Sequence, residues 1–178
     1  MVTADVSARL AWPDDASAIT RLQVASWREN YGAVLPEGVD ELDTDTLLER
    51  WALLLERPPD ARVRALVGLE HATVRGFVLV HPSADADADA VTDGEIGELV
   101  VDPAHRGAGH GSRLLQAAID TLKADGFTRV RWWVGSTDDA LRGFVTATGW
   151  EPDGAHRELA DESGESRLKQ VRLHTTIG

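Results

Sequence analysis

One stretch, residues 95–116 (E-I-G-E-L-V-V-D-P-A-H-R-G-A-G-H-G-S-R-L-L-Q), constrains the fold more than any other part of this chain. Its apolar residues of strand type, Ile96, Leu99, Val100 and Val101, run into the turn signal Asp102-Pro103. A glycine-rich segment follows, Arg106-Gly107-Ala108-Gly109-His110-Gly111, and then Ser112 and apolar residues at 114, 115, 118, 119 and 122 with helical spacing. A strand, a glycine turn and a helix together aim backbone N–H groups at an anion. The first-turn amides have no partner inside the helix, the helix dipole favours negative charge there, and glycines clear the approach.

Two common phosphate-binding patterns fail on spacing. A P-loop needs Lys-Ser/Thr after its last glycine, and Gly111 is followed by Ser112-Arg113. The dinucleotide fingerprint needs G-x-G-x-x-G, and this chain has G-x-G-x-G. The stretch instead resembles motif A of the GNAT superfamily of N-acetyltransferases, Arg/Gln-x-x-Gly-x-Gly/Ala after a strand, with Arg106, Gly109 and Gly111 at the fixed positions.

The chain has 178 residues, which suits one domain over residues 1–178. Its hydrophobic fraction of 43% and charged fraction of 27% are those of a globular protein. No apolar run approaches the ~18 residues of a membrane span, and the start lacks the pattern of a signal peptide, so a cytoplasmic location is expected. The absence of cysteine removes disulfides, thiolate metal sites and cysteine nucleophiles. A net charge of −12 argues against nucleic acid as partner and mildly favours an amine-bearing small molecule or basic peptide.

In chain order, residues 7–11 read as a strand, and Asp14 or Asp15 is placed to cap a helix that ends near Tyr31-Gly32, with Gly32 in the left-handed C-terminal position. A second helix is expected over 44–56 and a hairpin over 62–69 and 73–81. Residues 84–93, rich in Asp-Ala, read as a mobile, solvated loop overhanging the acceptor entrance. Asp85, Asp87 and Asp89 fit the start of a calcium loop, but Ala90 and Ile96 stand where it needs Gly and Glu. A strand over 128–134, a helix over 138–148 and an antiparallel pair over 155–159 and 167–177 complete the order β-α-α-β-β-β-α-β-α-β-β.

That order is the superfamily's, and two further segments resemble it. The run S-W-x-x-x-Y-x-x-x-L-P at 26–36 is similar to the first helix and following loop of many bacterial members, which makes Trp27 and Tyr31 candidates for the acceptor wall; packing on the sheet is the competing reading. The run from Asp138 through Phe144 to Trp150 resembles motif B, with Asp138 where Asn is usual and Val145 where Tyr is usual.

The resemblance implies an α/β (α+β) fold: one mixed, mostly antiparallel sheet with a splayed fourth and fifth strand and helices on both faces. It implies acetyl-CoA as acyl donor, no metal, and transfer to a primary amine by direct attack in a ternary complex. The cofactor contacts would be Leu99, Val100, Val101, Arg106, Gly107, Ala108, Gly109, His110, Gly111, Ser112, Asp138 and Phe144. A freed N–H near Val100 would hold the thioester oxygen as it becomes an oxyanion.

A lysine-like amine has pKa ~10.4, so about one molecule in 2,500 is neutral at pH 7 and a base is needed. Glu98 matches the position of a base in several members. Glu95, three residues earlier, falls on the opposite face of a regular strand unless a bulge intervenes. Val145 removes the family's usual general acid; Tyr31, Ser136, Thr137 and water are other donors. Two competing functions remain: a non-catalytic acyl-CoA sensor or scaffold, suggested by Val145, and a protein that binds another phosphate ligand. A homodimer is expected from the family, with the terminal strand pair as an available edge.

Overall fold

The computed structural model describes residues 5–34, 42–161 and 163–178. Strand β1 (Val6–Leu10) leads through a short 3-10 turn at Pro13–Asp15 into helix α1 (Ala16–Tyr31), and α2 is Thr44–Glu56. Strands β2 (Arg64–Glu70), β3 (Thr73–Pro82) and β4 (Asp93–Val101) precede α3 (His110–Ala124). Then come β5 (Arg129–Gly135), α4 (Asp139–Thr146), β6 (Glu151–Ala160) and β7 (Arg167–Thr176). One seven-stranded sheet results, in the order β1-β2-β3-β4-β5-β7-β6. Among the described residues only the β4–β5 pair is parallel.

Each face of the sheet carries its own core. Helix α3 turns Leu114, Ala118 and Leu122 onto Leu66, Val78, Val80 and Ile96, and Trp132, Leu173 and Trp150 extend this layer toward β7. Helix α3 sits close because Gly76 leaves space: a Cβ there would stand 2.9 Å from Leu114 and 2.6 Å from the Val100 carbonyl oxygen. On the other face, Ile19 and Leu22 of α1 and Trp51 of α2 cover Val67, Phe77 and Val100. Trp51 meets Phe77 edge-on, with ring centroids 5.3 Å apart.

Three local expectations change. Asp15 stands at the N-cap of α1, but its carboxylate takes the Trp12 amide at 2.7 Å and the Arg9 guanidinium instead of capping the helix. Gly32 is right-handed (φ −59°), since the chain continues into another turn closed by Val34 N–H on the Tyr31 carbonyl. Leu35 and Pro36, which carried part of the α1 resemblance, lie outside the described residues.

The third change is the largest. The Asp-Ala segment stays largely exposed, as expected, but is tied to the sheet through Asp85 and Asp87. Arg131 donates to Asp87 at 2.7 Å, Arg172 reaches both Asp85 (3.0 Å) and Asp87 (2.8 Å), and Trp133 Nε1 donates to Asp85 at 3.0 Å. Arg131 and Arg172 are only 3% and 7% exposed, and a buried guanidinium needs hydrogen-bonded counterions. The aspartates supply them, and the two arginines hold the Asp87 carboxyl well below the ordinary carboxylate range. Asp85 and Asp87 are thereby committed to arginines, and the calcium pattern had already failed at Ala90 and Ile96.

Candidate active site

Parallel pairing between β4 and β5 runs only from Asp93↔Arg129 to Ile96↔Trp132. Past that point the strands part. The opening begins at Gly97, where the β3–β4 register slips: Ile96 pairs with Val80 and Glu98 with Leu79, leaving Gly97 as the extra residue. A side chain at 97 would press a Cβ to within 2.8 Å of His81 Nε2, so glycine suits the bulge.

The bulge resets which side chains share a face. Glu95 pairs with His81 and Glu98 with Leu79, two positions apart on β3, so both glutamates point to the α1 side. Strict alternation had placed them on opposite faces; the extra residue overrides it. Both line one cavity of about 460 Å³ with Trp27, Tyr31 and Trp133.

The same register decides which backbone groups face the opening. The Asp102 N–H bonds the Arg75 carbonyl at 2.7 Å, so the pairs two and four residues back, Val100↔Phe77 and Glu98↔Leu79, are the hydrogen-bonded ones. The N–H of Val100 is therefore turned to β3. Those of Leu99 and Val101 are turned to the opening. The expected free amide near Val100 is corrected to its two neighbours, while the Val100 side chain forms part of the wall.

A second cavity, of about 810 Å³, lies along this opening and the turn into α3. Eleven of the twelve residues expected at the cofactor line it: Leu99, Val100, Val101, Arg106, Gly107, Gly109, His110, Gly111, Ser112, Asp138 and Phe144. Ala108 stands exposed on the same loop, outside the lining. Gly107 (φ +77°) and Gly109 (φ +91°, the N-cap of α3) take left-handed conformations that bend the loop so that the first-turn amides face the cleft. The two cavities meet at Ser26, Asn30, Leu99, Val100, Asp138 and Leu141.

The Arg106 side chain is engaged elsewhere, donating to Glu29 of α1 at 2.9 and 2.6 Å and fastening the loop to that helix. Asp138 caps α4 by accepting from the Leu141 amide at 3.0 Å. His110 is 1% exposed with neither ring nitrogen bonded to protein, and burial holds its pKa down. Helix α4 turns Leu141 and Phe144 to the cleft and Val145 into the core, where it is fully buried. Thr137 lines the smaller cavity; Ser136 does not.

Glu98 is held from α1 by two donors. Trp27 Nε1 reaches Oε1 and Gln23 Nε2 reaches Oε2, each at 2.7 Å, and Gln23 is itself fixed by Trp51 Nε1 at 2.8 Å. Burial pushes the Glu98 pKa above its ordinary value, against the pull of these hydrogen bonds. Burial, with the charges of Glu98 and Asp138, also raises the Tyr31 pKa, so its hydroxyl stays protonated. Gln23 was absent from the expected site; its i, i+4 relation to Trp27, with Ser26 and Asn30 on the same stripe, was the signal available. Glu95, Trp133, Arg157 and Gln170 were also absent, and their placement depends on strand register that periodicity does not report. Among the described residues no three metal-ligating side chains converge, and no helix is long and apolar enough to cross a membrane.

Comparison with known proteins agrees with this geometry. The model of the acetyltransferase (GNAT) family matches residues 19–150. A mycothiol acetyltransferase from Kineococcus radiotolerans is 32% identical over 116 residues, 65% of this chain and 36% of that protein, so the match spans about a third of its length. The yncA protein of Salmonella typhimurium, solved with acetyl-CoA, superposes with a TM-score of 0.74 at 20% identity, covering 97% of this chain and 94% of that one. A ribosomal-protein-alanine N-acetyltransferase from Brucella melitensis gives 0.74 at 17% identity, over 95% and 98% of the two chains. A mixed sheet opened between the parallel strands β4 and β5, a glycine turn at the head of α3 and a family match over most of the length lead to one conclusion: the chain belongs to the acetyltransferase (GNAT) family.

Proposed function

We propose that the chain transfers an acetyl group from acetyl-CoA to a primary amine of a small molecule or peptide, by direct attack in a ternary complex. The observation that carries this reading is the junction of the two cavities, with a buried carboxylate on the acceptor side of the Leu99–Val100 wall. The larger cleft suits the cofactor: its pyrophosphate would take amides of the 106–112 turn, and its pantetheine arm would run along the Leu99 and Val101 backbone. Leu99, at the junction, is the donor for the thioester oxygen.

Glu98 removes one proton from the acceptor ammonium, and the neutral nitrogen attacks the thioester carbon. The C–N bond forms, the tetrahedral oxyanion collapses and the C–S bond breaks. The second proton leaves the nitrogen for the CoA thiolate, directly or through water. A thiol has pKa ~8.5, so this departure does not require a strong acid, and the Tyr31 hydroxyl is an available donor on the acceptor side.

Glu98→Gln tests the reading. Calorimetric titration should show unchanged acetyl-CoA affinity, while thiol release with an amine acceptor falls by about 10²–10⁴. A second reading, a sensor that binds acyl-CoA without turnover, draws on the core position of Val145, which leaves no hydroxyl from that residue at the cleft. It predicts tight binding by wild type with no release on any amine.

A further inference from the structure

Among the described residues the acceptor cavity is lined by four carboxylates and one basic side chain, Arg157. The carboxylates are largely accounted for. Glu29 is paired with Arg106, Asp138 caps α4, Glu95 accepts from Ser83 Oγ at 2.9 Å, and Glu98 accepts from its two α1 donors. Arg157 differs. Its Nε donates to Gln170 Oε1 at 2.7 Å and its guanidinium carbon lies 4.3 Å from the Trp133 ring centroid. Among the described residues neither terminal nitrogen has a hydrogen-bond partner. A planar guanidinium stacked on an indole and tied at Nε is oriented in advance, with its two terminal NH₂ groups left for a planar oxyanion.

Position gives this group a purpose. Arg157 is on the edge strand β6, and Trp133 is on β5, two strands inward across β7. The guanidinium therefore leans over the sheet toward β4, where Glu98 stands. Adjacent strands are about 4.8 Å apart, so what remains between the two groups is of the order of one strand spacing, widened by the splay. The neighbouring arginines cannot take this part, because Arg172 is saturated by Asp85, Asp87 and Asp153, and Arg131 by Asp87 and Asp93.

We propose that Arg157 is the specificity-determining residue for the acceptor and binds its carboxylate, so that the substrate class is a free amino acid or closely similar zwitterion with its ammonium at Glu98. This deepens the transferase reading and rests on it. The cavity of about 460 Å³ admits a compact zwitterion, whose carboxylate gains at Arg157 a partner that a polyamine does not use. The net charge of −12 mildly favours a cationic acceptor, and the lining keeps that acidic balance while adding one cationic group, Arg157, for a carboxylate.

The test is a paired panel in which each of several free amino acids is assayed beside its carboxamide and its decarboxylated amine. Thiol release is followed with wild type, Arg157→Gln and Arg157→Lys. Amidation lowers the amine pKa and so favours the amide on intrinsic reactivity; a preference for the free acid reports recognition. Wild type should prefer the free acid by tenfold or more in kcat/KM, an amount of the order expected of one charge-assisted contact. In Arg157→Gln the acid-to-amide ratio should fall to near one, through KM and with little change in kcat; Arg157→Lys should recover part of it. Arg157 is exposed on the edge strand, so the variants should keep the wild-type Tm.

A readout without turnover accompanies this: calorimetric titration of N-acetyl amino acids and their amides in the presence of CoA. Weaker acid binding in Arg157→Gln supports the anion subsite. If no amine releases thiol but this loss is seen, the transferase reading fails and the subsite stands. If amines are acetylated and wild type handles acid and amide alike in both assays, the transferase reading stands and the proposal for Arg157 is overturned. An acid preference unchanged in Arg157→Gln also overturns it.

Discussion

Trp27 Nε1 donates to Glu98 Oε1 at 2.7 Å, joining α1 to β4 in the wall of the smaller cavity. The bond does two things: it holds the carboxylate in place and it stabilises the charged form. Burial works the other way, and the net shift is upward. A base must be ionised to act, so activity should be lost as pH falls through this raised value. The acid limb of kcat/KM should therefore lie above the ordinary glutamate range.

Trp27→Phe keeps an aromatic ring and removes the donor. The Glu98 pKa should rise further, because the lost bond had been lowering it. A hydrogen bond contributing about 1–1.5 kcal/mol corresponds to a move of about one pH unit in the acid limb. A pH profile checks this; a limb that moves down would contradict the assignment of Glu98 as base.

The glycine turn offers a contrast between strain and obstruction. Gly109 has φ +91° with open space around its missing Cβ, so Gly109→Ala should cost about 1–2 kcal/mol of stability from backbone strain alone. At Gly111 a Cβ would make ordinary contacts, 3.7 Å from Val101 and 3.8 Å from Phe144, inside the cofactor cleft. Gly111→Ala should keep the melting temperature and lose acetyl-CoA affinity. Paired thermal melts and calorimetry distinguish the two effects.

Asp93 is 1% exposed and accepts from Arg129 at 2.9 and 2.6 Å, with Arg131 at 3.4 Å. Asp93→Ala leaves the buried Arg131 with fewer counterions and should destabilise by about 3–5 kcal/mol, read by urea denaturation. In the native protein the Arg129 hydrogen bond, as the leading cause, holds the Asp93 pKa below its ordinary value. Its stabilisation is thus full above the ordinary aspartate pKa and is lost as pH falls through the lowered one. Wild type should lose stability on acidification, and the variant should show a shallower loss.

Val145→Tyr would restore the residue usual in the family. Here position 145 faces a filled core, so the ring should overpack it and cost about 1–3 kcal/mol without raising kcat. A gain in kcat at unchanged stability would show that the hydroxyl reaches the cleft.

The sequence by itself determined the elements and the group of residues that line the larger cleft. Those features are local: alternating apolar residues, a helix stripe, and glycines packed between a strand and a helix within residues 95–116. A strand–turn–helix places its own N–H groups, so motif and site coincide in the chain. Glu98, Trp27 and Tyr31 were legible as separate candidates for the same reason.

Only the tertiary structure decided how distant residues meet. The Gly97 bulge depends on pairing with β3, and it sets Glu95 beside Glu98 and selects the Leu99 and Val101 amides over that of Val100. The Asp-Ala segment is largely solvated, as its composition indicates, but its tether was not legible because the buried arginines that bind Asp85 and Asp87 lie on β5 and β7, more than forty residues away. Arg157 gained a place in the acceptor cavity through the β7–β6 register and a stack on Trp133. Register, bulges and ion pairing between distant strands depend on contacts between segments, and a single strand's periodicity carries no information about its partner.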